Sequence, residues 1–201
     1  MTTSPSPWCA PCPTEDAMFD LLPADSALLL IDVQERFQSA IPTIGQDQPV
    51  GRNCRILAES AGVLGVTTLV SEQYPKALGP TLPHLKAVLG ETPSLPKTHF
   101  SCCGDPAIAA GIESAHRTWW VLCGIEAHVC VLATAADLLA QGRRVIVVGD
   151  AVASRKAENA EMALRAARDL GALVLPTETV VFRWLREARG EAFKRISALV
   201  K

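Results

Sequence analysis

Three side chains of the 201-residue chain could do chemistry together if the fold met them: the acid that ends SALLLID, Asp32; the lysine of KTHFS, Lys97; and the second thiol of VLCGIEAHVCV, Cys130. The run Trp119 to Cys123 reads as a buried strand, Gly124 breaks it, and helical spacing resumes over Val129 to Leu139, which puts Cys130 in a first helical turn. A thiol there faces unpaired backbone N–H groups and the positive end of the helix dipole. Both favour thiolate and can lower the pKa below its usual value of about 8.5. The same amides could hold a developing oxyanion. Equally, a buried cysteine in a βα turn can be no more than a small apolar group. Asp32 closes a run of continuous hydrophobicity that suits a central parallel strand, and ligands of open α/β sheets bind outside the carboxyl ends of strands. It could instead cap the turn Val33 to Arg36. Lys97 alone is a solvated charge; a nearby acid and thiol would make it more.

The other candidates have plainer readings. Cys9 and Cys12 form a CxxC without a second pair, in a leader rich in proline and serine, and read as incidental. Cys102 and Cys103 lack a partner pair and read as packing or loop-lining residues. His84 and Glu72 are too few and too dispersed for a metal site, so no metal and no cofactor are expected. His99 and His128 read as polar residues of a loop and a helix start, Tyr74 as a loop residue, and Asp150 as a loop anchor at a strand's carboxyl end.

These groups need a scaffold, and the chain reads as a supplier of strands and helices in alternation. Strands are expected over Ser26 to Asp32, Val66 to Val70, Thr118 to Leu122, Arg143 to Val148 and Ala172 to Leu175, and a short strand or turn over Lys97 to Gly104. Helices are expected over Val50 to Leu64, from Pro106 with Asp105 as cap, and over Val129 to Gln141, Ala157 to Leu170, Thr177 to Ala188 and Phe193 to Val200. Ser71 to Pro80 reads as loop. Alternation of this kind means a parallel sheet with right-handed crossovers. The expected fold is α/β, a three-layer Rossmann-like sandwich with a six-stranded, mainly parallel sheet. Residues 1–24 form an irregular leader and residues 25–201 a single domain. A hydrophobic content of 49% is enough for one full core. With a net charge of −2 and a pI of about 6.1 there is no basic face for nucleic acid, and the apolar runs are too short for a membrane. Small molecules are the expected partners. The amino-terminal stretch has neither the basic nor the apolar region of a secretory signal, which leaves the cytoplasm as the expected location, and seven cysteines do not make a disulfide framework there.

Leu30-Ile31-Asp32-Val33-Gln34, Lys97-Thr98-His99-Phe100-Ser101 and Gly124-Ile125-Glu126-Ala127-His128-Val129-Cys130-Val131 together resemble the isochorismatase-like cysteine hydrolases, a family that includes nicotinamidases and carbamoyl-amide hydrolases. The resemblance spans about Ala27 to Leu175. It implies Cys130 as nucleophile, Asp32 as general base and Lys97 as their support. It also implies a cis peptide between Ile125 and Glu126, with the N–H groups of Glu126 and Cys130 forming an oxyanion hole. Oligomers are common in this group, so a homo-oligomer is expected.

The departures from the family are informative. Metal-binding nicotinamidases have an Asp-x-His cluster after the second strand, and Ser71 to Leu82 has none, so nicotinamide is not the favoured substrate. Isochorismatases proper lack the nucleophilic cysteine because they cleave a vinyl ether. The resemblance thus implies a mechanism without a substrate; the expected reaction is metal-independent hydrolysis of a small amide or related acyl compound, with Gln34, Phe37, Tyr74 and His128 as candidate pocket walls. Its rivals are ester or vinyl-ether hydrolysis, a ligand-binding scaffold without turnover, and a thiol redox protein.

Overall fold

A computed structural model describes residues 20–201. All six residues of β1 (Ser26–Ile31) are buried, as expected of a strand covered on both faces. Leu28 and Leu30 pack into one apolar layer, and Ala27, Leu29 and Ile31 into the other. Around β1 lie β2 (Thr67–Gln73), β3 (Ser94–Lys97), β4 (Trp119–Ile125), β5 (Arg144–Ala153) and β6 (Leu173–Leu175), in the order β3-β2-β1-β4-β5-β6. Every pairing is parallel, so the sheet is wholly rather than mainly parallel.

The first layer is covered by α1 (Pro49–Leu64), whose Cys54 and Leu57 are fully buried, together with residues of α3 (Pro83–Leu89), α7 (Thr177–Leu185) and α8 (Gly190–Leu199). The second is covered by Ile108 and Ile112 of α4 (Pro106–Ala115), Ala135 and Leu138 of α5 (Leu132–Ala140), and Ala163 and Ala167 of α6 (Ala157–Asp169). Trp119, Trp120 and Trp184 are all buried in these layers. The order reverses at β1, where β2 leaves on one side and β4 on the other, so the crevice at the carboxyl end of β1 is the switch point at which such sheets bind ligands. Among the described residues no helix is long and apolar enough to cross a membrane.

Several boundaries differ from those the sequence predicts. Leu21, inside the expected leader, is buried, and most of that leader, with Cys9 and Cys12, lies outside the described residues. The expected loop from Ser71 to Pro80 is instead the end of β2 followed by the single-turn α2 (Pro75–Leu78), and α3 follows where no helix was expected. Seven residues of α3 are too few to display a period, and Leu85 alone is fully buried.

Gly124 does not stop β4. It has φ +116° and sits where the pairing of β4 with β5 shifts register, so the glycine marks a bulge inside a strand rather than its end. A Cβ there would lie 2.1 Å from the carbonyl oxygen of Ile31. Gly124→Ala is therefore expected to cost at least about 2 kcal/mol, because it adds an unfavourable φ to a backbone clash with β1. Urea denaturation measures this, and a wild-type midpoint would contradict it.

Candidate active site

The carboxyl ends of β1, β2, β3 and β4 place the expected residues together. Asp32 leaves β1 with φ +54°, a left-handed conformation that Asp tolerates better than most residues. Its N–H donates to the Ser71 carbonyl at 3.1 Å, and Ser71 Oγ donates to Asp32 Oδ1 at 2.7 Å. Lys97 ends β3, and its Nζ lies 2.8 Å from Asp32 Oδ2, with both side chains shut off from solvent. The same ammonium donates to Gln73 Oε1 at 2.5 Å and to the carbonyls of His99 at 3.1 Å and Phe100 at 3.0 Å. Cys130 Sγ lies 3.4 Å from it. An ammonium has three protons, and here acceptors surround it on every side, so Lys97 acts as a fixed positive charge.

Cys130 sits in a π-helical turn, Ala127–Val131, rather than in the first turn of an α-helix, and α5 begins only at Leu132. The expected lowering of its pKa is corrected accordingly. Burial, with the Asp32 charge added, pushes the Cys130 thiol up to about 12, and Lys97 only partly opposes this. Burial also raises the Asp32 carboxyl above its ordinary value, more than the charge and hydrogen bond of Lys97 and the hydrogen bonds from Ser71 and Cys130 pull it down. For Lys97 burial works downward, but the Asp32 carboxylate outweighs it and holds the ammonium above its usual range. A raised carboxyl is the better proton acceptor, and the Asp32 charge that holds the thiol up vanishes once Asp32 takes the thiol's proton.

The Ile125–Glu126 peptide bond is cis. The Glu126 carboxylate accepts the Arg155 N–H at 2.9 Å and the Arg155 Nε at 3.1 Å on both oxygens. Burial pushes that carboxyl up, but the Arg155 backbone and guanidinium hold it below its ordinary value. The end of β4 is thus tied to the residues that follow β5.

The four candidate pocket residues are dispersed. Tyr74, 53% exposed, borders a cleft of about 290 Å³ with Pro96, Lys97 and Thr98. Gln34 is fully buried, and its amide is spent on the backbone of Gln73 and Gly79. Phe37 packs against the core. His128 is half-buried, with Nδ1 2.9 Å from Ser154 Oγ and Nε2 3.3 Å from Asn159 Nδ2. Asp150 accepts from the N–H and hydroxyl of Thr177, both at 2.8 Å, and so caps α7. Asp105 accepts from the N–H groups of Thr98 and His99 and makes no side-chain cap to α4. Cys102 is fully buried near the site, its thiol raised to about 11 by burial and then by the Asp32 charge. Among the described residues no group of His, Cys, Asp or Glu could hold a metal ion.

Sequence reasoning passed over Ser71, Gln73 and Thr134. Thr134 Oγ1 accepts the Cys102 N–H at 3.0 Å and donates to the Cys130 carbonyl at 2.7 Å, which fixes the turn that carries Cys130 to the loop after Lys97. The available signal was positional: Ser71 and Gln73 alternate at the carboxyl end of a strand next to Asp32.

Residues 26–179 match the isochorismatase domain. Isochorismatase domain-containing protein 2 of Danio rerio is 38% identical over 175 residues, which cover 87% of this chain and 86% of that protein. The structure of MAR1 ribonuclease from Caenorhabditis elegans superposes with a TM-score of 0.82 at 36% identity, covering 90% of this chain and 92% of that one. A similar fold, with a TM-score of 0.84 at 20% identity, occurs in the YcaC gene product of Escherichia coli, an octameric hydrolase of unknown specificity; 90% of this chain and 91% of that one are covered.

Proposed function

Because the chain belongs to the isochorismatase domain family, we propose that it is a hydrolase that cleaves a small amide or related acyl C–N bond through a thioester on Cys130, without a metal. The observation that carries this reading is the contact of a thiol, an ammonium and a carboxylate in one cluster closed to water. Asp32 takes the Cys130 proton as the sulfur attacks the carbonyl carbon. The thiolate forms beside the Lys97 ammonium, and the tetrahedral oxyanion is received by the N–H groups of Glu126 and Cys130. The C–N bond breaks as the leaving nitrogen takes the proton back from Asp32. A water then gives a proton to Asp32 and attacks the thioester, which releases the acid and restores the thiol. Substrate enters at the crevice beside β1, and the protein works as a homo-oligomer in the cytoplasm.

The test is a panel of small amides, ureas, esters and vinyl ethers, read by ammonia or amine release and by the mass of an acyl group trapped on Cys130. Amine release with an acylated Cys130 peptide is expected. Ester or vinyl-ether turnover without amine cleavage would overturn the substrate class, and saturable binding without any turnover would point to a scaffold. The name of the C. elegans relative puts a short RNA in the same panel. A net charge of −2 and a lysine hidden from solvent argue against phosphodiester cleavage.

A further inference from the structure

An acid and a lysine shut off from water need a reason to stay charged, since burial disfavours both ions. Two residues of β2 supply one from the same side. Side chains alternate along a strand, so Ser71 and Gln73 share a face with Leu69, which packs in the layer that holds Cys130. Glu72 faces the opposite way, where it accepts from Thr81. Ser71 Oγ lies 2.7 Å from Asp32 Oδ1, and an ionised carboxylate can only accept, so the hydroxyl is the donor. Gln73 Oε1 accepts from Lys97 at 2.5 Å while its Nε2 donates to the Thr98 carbonyl at 3.0 Å. That second bond fixes which end of the amide faces the ammonium. Gln34 holds Gln73 in turn, accepting its N–H at 2.8 Å and donating to its carbonyl at 3.0 Å.

We propose that Ser71 and Gln73 are positioning residues that keep the Asp32–Lys97 pair ionised, and that Ser71 thereby sets the pH above which Asp32 can take the Cys130 proton. Donation to a carboxylate and acceptance from an ammonium each favour the charged form. Neither residue gains or loses a proton in the reaction. The titratable groups that face Asp32 are Lys97 from β3, Cys130 from the turn after β4 and Cys102 from the turn before α4. The inference rests on the reading of Asp32 as the base.

The experiment follows the rate at which iodoacetamide alkylates Cys130 in the full-length chain as a function of pH, with peptide mass spectrometry separating the cysteines. The wild-type rate is expected to rise through the Asp32 titration, because the thiol gains an acceptor there. In Ser71→Ala the midpoint should move up by about one pH unit, the usual worth of a hydrogen bond to a charged group. Ser71→Thr, which keeps the hydroxyl, should restore it, and Gln73→Met should move it the same way by less, giving an arm that does not depend on Ser71→Ala folding. A packing role alone would lower stability and leave the midpoint in place. If Asp32→Asn abolishes the inflection while Ser71→Ala and Gln73→Met leave it unmoved, the positioning role is overturned and the base survives. If Asp32→Asn itself leaves the wild-type midpoint, the base reading falls and this inference with it.

Discussion

Cys130→Ala is expected to remove turnover of any amide the protein accepts, by about 10⁴-fold or more, because without sulfur there is no acyl intermediate to form. The fold should survive. The side chain is buried, so losing its sulfur costs about 1 kcal/mol. Asp32 and Lys97 keep each other as partners, and the Lys97 ammonium retains the Gln73, His99 and Phe100 acceptors. Steady-state rates and a denaturation curve on the same sample separate the two effects. Measurable amide cleavage by a folded alanine variant would remove Cys130 from the chemistry.

Asp32→Asn should lower turnover by about 100-fold or more, the usual worth of a general base. Asn suits the left-handed backbone at this position, and its side-chain oxygen can still accept from Ser71, so the geometry is expected to persist. The change nevertheless leaves Lys97 buried without a counter-charge, for which a stability loss of about 3 kcal/mol is expected. The pH profile carries more information than the rate. Asp32 acts as a base only when ionised, and burial raises its carboxyl above the ordinary value. Turnover by the wild-type protein should therefore rise with pH across an acid limb set higher than for an exposed aspartate, and Asp32→Asn should lose that limb. A variant that keeps it would assign the titration to another group.

The three clustered side chains were singled out by the resemblance of their motifs to a family, and for Asp32 the apolar run before it also marks its position. SALLLID has no polar residue inside it, and a strand that apolar has to be central, which makes its terminal acid an edge residue. Gly124 was misread because the same residue type that ends helices and strands also permits close approach of two backbones, and only the neighbouring Ile31 carbonyl distinguishes the cases. Cys130 was expected to be acidic because a helix start is legible in one dimension, whereas burial among distant residues is not. Its high pKa comes from its surroundings, Asp32 included, and not from its own turn. Ser71 and Gln73 were invisible for a related reason. Polar residues at a strand's end look like the start of a loop until the adjacent strand shows what they face.

The sheet order has a consequence for how the cluster of Asp32, Lys97 and Cys130 is assembled. Asp32, Lys97 and Cys130 are separated by 65 and 33 residues along the chain, and β2, which supplies Ser71 and Gln73, lies between β1 and β3. No pair of neighbouring segments contains the whole cluster. Such non-local parallel pairings close large loops before any contact is gained and so form slowly. During refolding, helices α1 and α6 can report structure while the ion pair does not yet exist. Cys130 then behaves as an ordinary exposed thiol until the four strands are in register, so its loss of ordinary alkylation is a clock for the completion of the sheet.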